Sequence, residues 1–134
     1  MLREFCIILL LTVIGVAYTL FSGLSPLSRA EPKLEAGEIR LADARALNAI
    51  WVDAGGAKKF EERHIPEALL LDEEDWDAGL FELMNTWLIE PRPIIIYCES
   101  ESCGTSKRIA KRLRESLPDA EVYSLKGGRG AWQQ

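Results

Sequence analysis

The sequence predicts a small α/β domain with a mostly parallel central sheet flanked by helices, preceded by one N-terminal transmembrane helix. Three observations predict it. Short apolar runs at 49–54, 68–71, 94–97 and 121–125 alternate with segments of helical spacing, the pattern of strand-helix units that pair in parallel. Ile94-Ile95-Ile96-Tyr97 is apolar without interruption and fenced by Pro91 and Pro93, as a strand buried on both faces would be. No charge interrupts the twenty residues from Phe5 to Leu24, about the length that spans a bilayer as a helix.

Residues 1–24 therefore read as an anchor, 25–37 as a linker and 38–134 as the domain. The rival for the first segment is a cleaved signal peptide, with Ser28-Arg29-Ala30 as its small-x-small site. The apolar run exceeds a typical signal core and ends well before Ala30, which favours an uncleaved anchor. Cys6 then lies within the membrane. Arg3 and the terminal amine on one side nearly balance Arg29 and Lys33 on the other. The very short N-terminal tail points to a domain on the extracytoplasmic, periplasmic side of a single-pass anchor. Linker residues 25–37 contain Pro26 and Pro32 and show no sustained periodicity.

Arg3 and Glu4 cancel, so the domain keeps the whole net charge of −5. That charge, with no basic stripe or interleaved aromatics, argues against a nucleic-acid partner. Three cysteines, one of them in the apolar span, do not make a disulfide scaffold. In an oxidising compartment Cys98 and Cys103 are nonetheless able to pair with each other.

Along the domain, Leu41, Ala44 and Leu47 have helical spacing, predicting a short helix over 41–47. A strand over 49–54 ends at Gly55-Gly56, and one or two helical turns follow over 58–62. Arg63 to Glu67 is a turn, and 68–71 a second short strand. The acidic run from Asp72 to Asp77 is expected to open a helix with Leu80, Phe81, Met84, Trp87 and Leu88 as its apolar face. Carboxylates in a first turn suit the helix dipole, which explains this run better than metal binding does. After 94–97, Thr105 or Ser106 caps a helix to about Leu117, with Ile109, Ala110, Leu113 and Leu117 buried. Residues 121–125 form a further strand, Gly127-Gly128 a tight turn, and Ala131-Trp132 close the domain.

Cys98 stands at the end of the most buried strand, before a polar loop and a helix start. Free backbone N–H groups and the helix dipole there favour a thiolate or a bound anion. A structural buried cysteine is the alternative for such a position.

The order of signals resembles the rhodanese-like family. Val52-Asp53, Phe60, His64-Ile65-Pro66 and Ala68 resemble its first signature, and Tyr97-Cys98 its active-site cysteine. Val122-Tyr123-x-Leu125-x-Gly127-Gly128-x-x-Ala131-Trp132 resembles its closing signature. The resemblance covers about residues 38–134. It implies a sulfurtransferase in which Cys98 is the nucleophile that becomes a persulfide. Glu99, Ser100, Glu101, Ser102, Cys103, Gly104 and Thr105, with Ser106 at the helix start, would form the cradle. It implies a small sulfur donor or a protein thiol as partner, and no cofactor.

The chain departs from the family pattern at Gly55, where Arg is common, and at Arg63 and Glu67, where Gly is common. Its loop from Cys98 to Ser106 is about two residues longer than the common one, lacks Arg, and carries Glu99 and Glu101. Carboxylates there repel an anionic donor and raise a nearby thiol pKa. Lys107 and Arg108 are the cations placed to offset them. Without a loop Arg, the phosphatase chemistry of this fold's longer-loop relatives is not expected.

Cys103 is the most distinctive loop residue. It reads either as a resolving thiol for Cys98, forming a CxxxxC redox pair with a membrane redox partner, or as a small buried residue. His64 reads as part of a structural turn rather than a general base. A metal site from His64, Cys98 and Cys103 lacks a fourth ligand and recognisable spacing. A third reading is a non-catalytic binding module on the same fold, delivering a partner to the membrane.

Overall fold

The computed structural model describes residues 1–21, with side chains to residue 18, together with residues 33–100 and 104–133. Contacts group the chain into two compact units, Met1–Lys33 and Leu34–Gln134.

In the first unit, helix α1 covers Leu2–Phe21. Its large apolar side chains, among them Phe5, Leu9, Val13 and Tyr18, are exposed. The uncharged run that predicts an anchor extends past α1 into residues outside those described. Among the described residues, no helix is long and apolar enough to cross a membrane.

The second unit comprises β1 (Glu38–Ile39), α2 (Leu41–Ala46), β2 (Ile50–Asp53), α3 (Ala57–Glu62), β3 (Leu69–Leu70), α4 (Trp76–Ile89), β4 (Ile94–Tyr97), α5 (Thr105–Ser116), β5 (Val122–Leu125) and α6 (Gly128–Trp132). The sheet runs in the order β1-β5-β4-β2-β3, and every pairing is parallel. The predicted parallel α/β class therefore holds, with β4 at the centre. Its side chains alternate between two cores. Ile94 and Ile96 pack with Val52, Leu83, Ile109 and Leu113, while Ile95 and Tyr97 pack with Ile65, Ala68 and Leu125. Burial on both faces is what an uninterrupted apolar run provides.

The structure corrects several local expectations. Strand β1 is an addition to the expected strands, because two residues starting with a glutamate carry no periodic signal. It forms because Ser124 N donates to Gly37 O at 2.9 Å and Lys126 N to Ile39 O at 2.9 Å. Arg114 Nη2 reinforces this edge, donating to Gly37 O at 3.2 Å and Val122 O at 2.7 Å.

Only the end of the acidic run opens α4: Asp75 is its N-cap residue, without a side-chain cap bond, and Asp77 lies in the first turn of a helix that starts at Trp76. Asp72 instead accepts from Ala57 N at the start of α3, at 3.1 Å, and from Glu74 N. The buried face of α4 is Trp76, Leu80, Leu83, Met84 and Trp87. Phe81 and Leu88, expected on it, are 69% and 62% exposed. At 100° per residue they fall roughly 100° from that face's centre. The cap of α5 is Gly104, left-handed at φ 64°, and not Thr105 or Ser106.

Trp51 on β2 meets Trp132 edge-on at 5.1 Å and Tyr97 at 6.5 Å between ring centroids. The Arg45 guanidinium lies over the Trp132 ring, 4.5 Å from its centroid. This cluster ties the end of α6 to β2 and the central strand.

Candidate functional site

Parallel strands end together, so β2 and β4 deliver their last residues side by side: Asp53 pairs in register with Tyr97. Both are buried. Tyr97 Oη accepts the Ile65 N–H at 2.9 Å and donates to the Asp53 carboxylate. Asp53 Oδ1 also accepts the Gly55 N–H at 2.7 Å. Burial raises the Asp53 pKa above its ordinary value, although the Gly55 amide, Tyr97 and the charge of Arg129 oppose it. Burial likewise raises the Tyr97 phenol, so it remains a neutral donor.

Cys98 comes next in the chain and is 1% exposed. Its backbone is seated by α6, not only by the loop's own turn. Arg129 N donates to Cys98 O at 2.7 Å, and Gly130 N to Glu99 O at 3.2 Å. Gly128, at φ 58°, approaches so closely that a Cβ there would lie 2.5 Å from Cys98 O. The closing Gly-Gly signature is thus a seat for the cysteine.

Cys98 is disulfide-bonded, while Cys6 is free. Its Sγ lies 3.3 Å from Ser100 O and 3.7 Å from Ser106 Oγ. A disulfide sulfur has no hydrogen to give, so the Ser100 approach is a hydrogen bond only for the reduced thiol. The Ser106 hydroxyl, by contrast, can donate to the sulfur in any state. It is buried and lies 3.1 Å from Ser124 Oγ on β5. A sulfur faced by one hydroxyl, itself hydrogen-bonded to a second, is suited to holding thiolate or persulfide charge.

Glu99 is half-exposed and bridged by two cations: Lys59 Nζ at 2.5 Å and Arg129 Nη2 at 3.4 Å. Lys59 chiefly, with Arg129 and Arg63, holds its carboxyl below the usual range. Lys107 and Arg108, expected to offset the loop's acids, turn elsewhere. Lys107 pairs with Glu35 at 2.9 Å and Glu38 at 3.1 Å, and Arg108 with Glu73 at 3.2 Å. The offsetting charge comes instead from α3 and α6.

Of the predicted site residues, the structure brings Cys98, Glu99, Ser100 and Ser106 together. Gly104 turns the chain into α5, and Thr105 Oγ1 accepts from Arg108 at 3.2 Å. Glu101, Ser102 and Cys103 lie outside the described residues. His64 is exposed, stacks on Phe60 at 4.0 Å, and bonds through Nδ1 to Phe60 O at 2.8 Å. That matches a structural turn. Among the described residues, no group of three or more His, Cys, Asp or Glu is placed to hold a metal. A cleft of about 200 Å³ opens at the same strand ends, lined by Gly55, Gly56, Asp72, Glu73, Glu74 and Thr105.

Lys59, Arg129 and Ser124 join the site without a sequence signal of their own. Lys59 sits on a short helix, Arg129 occupies an unspecified position of the closing signature, and Ser124 is one polar residue in a strand. Only the parallel topology brings them to the loop.

A five-stranded parallel sheet with a cysteine at the end of its central strand, on a loop seated by a Gly-Gly turn, defines a class of cysteine-loop α/β domains. The chain belongs to the rhodanese-like family: the Rhodanese-like domain matches residues 29–134. Among curated proteins, none matches. Solved structures similar to it include the N-terminal domain of a candidate ATP/GTP binding protein from Clostridium difficile 630, 21% identical with TM-score 0.50, covering 72% of this chain and 95% of that one. The BH2092 protein from Bacillus halodurans is 24% identical with TM-score 0.52, covering 72% of this chain and 70% of that one. At these identities the likeness is one of fold.

Proposed function

We propose that this protein is a sulfur carrier of the sulfurtransferase superfamily that holds sulfane sulfur as a persulfide on Cys98. The observation that carries the reading is the seating of Cys98: its Sγ is backed by the Ser106–Ser124 hydroxyl pair and its carbonyl is pinned by Arg129 N. In the reduced protein, the Cys98 thiolate attacks the outer sulfur of a donor persulfide or polysulfide. The donor's inner sulfur leaves as a thiolate. A nucleophilic acceptor, such as a protein thiol, then takes the outer sulfur and returns Cys98 as thiolate. No oxidant is consumed in either step.

A second reading is favoured by the disulfide at Cys98. The sequence offers Cys103, five residues on in the same loop, as the second thiol of such a pair. Cys98 and Cys103 would then form a thiol–disulfide pair that exchanges electrons with a membrane redox partner. The two readings share one residue and differ in the other. Cys103→Ser tests them: sulfur loading in a single turnover survives this change under the first reading, and redox cycling is lost under the second.

We also propose a single-pass membrane protein with its domain on the extracytoplasmic side. The support is the uncharged run from Phe5 to Leu24 and the exposed apolar surface of α1. An oxidising compartment also suits a disulfide at Cys98. Alkali-resistant retention of the full chain in membranes tests the anchor, and release by alkali would refute it.

A further inference from the structure

Glu99 is the residue next to the reacting cysteine, and its carboxylate occupies Lys59 and Arg129 at the same time. Arg129 is tightly placed. Its backbone N holds the Cys98 carbonyl, its side chain is only 15% exposed, and its Nη1 is buried with no hydrogen-bond partner. Lys59 arrives from a different element, α3, and Arg63 adds to the positive field on Glu99. Cations converging from separate elements on the residue beside a nucleophilic cysteine form an anion site, and here the chain's own carboxylate fills it. Glu99 and Lys59 are 50% and 59% exposed, so this pair is solvated and exchangeable rather than locked.

We infer that Glu99 is a specificity-determining residue, an internal counter-anion that fills the Lys59–Arg129 anion site beside Cys98 and so disfavours small oxyanionic donors relative to neutral or protein-borne ones. The inference rests on Cys98 being the reacting thiol. It differs from simple repulsion by the loop's acids, because it requires that removing Glu99 expose cations able to bind an oxyanion.

The test uses the reduced full chain in neutral detergent, in a Cys103→Ser background, reading alkylation on the Cys98 peptide alone. Iodoacetate is anionic and iodoacetamide neutral, and both attack the thiolate, so their rate ratio cancels the thiolate fraction. Glu99→Gln is expected to raise the ratio severalfold. Sulfate, at ionic strength held constant with chloride, should then suppress the iodoacetate rate saturably. Adding Lys59→Gln should abolish both effects. Glu73→Gln, which removes an equal charge paired with Arg108, should leave the ratio unchanged. If sulfate acts no differently from chloride, or Glu73→Gln matches Glu99→Gln, the inference is overturned. Polysulfide loading of Cys98, measured on the same samples, tests the sulfur-carrier reading separately: its failure with the sulfate effect intact would remove that reading and leave the masked site standing.

Discussion

Gly128 and Cys98 stand so close that a methyl group on the glycine would meet the Cys98 carbonyl oxygen at 2.5 Å and the Ser100 backbone at 3.0 Å. The contact is between backbones, so no side chain can yield to relieve it. Gly128 also has φ 58°, which disfavours any Cβ. Gly128→Ala is therefore expected to cost roughly 2–4 kcal/mol from overpacking and strain together. Urea unfolding of the full chain in neutral detergent measures it. A cost below the error of that measurement would show that α6 does not seat the loop.

Glu67 offers the opposite case. Its φ of 64° is left-handed, the one such non-glycine among the described residues, at a turn where the family commonly has glycine. The side chain gains nothing from that conformation that the structure records. Glu67→Gly should stabilise the domain by about 0.5–1 kcal/mol, the left-handed penalty less glycine's greater chain entropy. The same unfolding assay reads the sign.

The Ser106 hydroxyl is placed to donate to the Cys98 sulfur, stabilising the reduced protein's thiolate relative to the thiol. Ser106→Ala should raise the thiol's pKa and slow alkylation of reduced Cys98 at neutral pH. One hydrogen bond of about 1 kcal/mol corresponds to roughly fivefold. The pH profile of iodoacetamide reaction checks it, since a purely steric change would alter the plateau rate without moving the profile.

Two buried carboxylates shape stability against pH with opposite signs. Burial works against an ionised Glu38, but the Glu35 amide, Lys107 and Lys126 outweigh it and hold its pKa below 4.5. Its contribution is complete above 4.5 and is lost as pH falls through the lowered, folded value. Asp53 is raised above 3.8, so its contribution is complete below 3.8 and lost as pH rises through the folded value. Glu38→Gln should accordingly flatten the acid limb of the stability profile. Asp53→Asn should remove a decline on the rising-pH side of 3.8. Unfolding free energy measured across the acidic to neutral range distinguishes them.

How much is legible in the sequence depends on how local each signal is. The central strand announces itself because Ile94, Ile95 and Ile96 face two cores and need no alternation. The buried stripe of α5, from Ile109 through Leu113, is equally plain. The face of α4 is misjudged at Phe81 and Leu88 because that helix is apolar nearly all round, so periodicity is weak. Strand β1 is invisible because two residues cannot show a period, and its pairing depends on Ser124 far along the chain. At the site, Cys98 is picked out by its place after a strand. Its neighbours Lys59, Arg129 and Ser124 are not, since each comes from a different element and meets the loop only through the sheet order. The expectation that Lys107 and Arg108 serve the loop fails for the same reason: Glu35, Glu38 and Glu73 claim them across long sequence separations.

The most direct measurement is the intact mass of the reduced full chain before and after exposure to polysulfide, with Cys98→Ser alongside. The sulfur-carrier account predicts a gain of one sulfur atom, reversed by a thiol acceptor and absent in Cys98→Ser. No gain in the native chain, or an equal gain in Cys98→Ser, would contradict it.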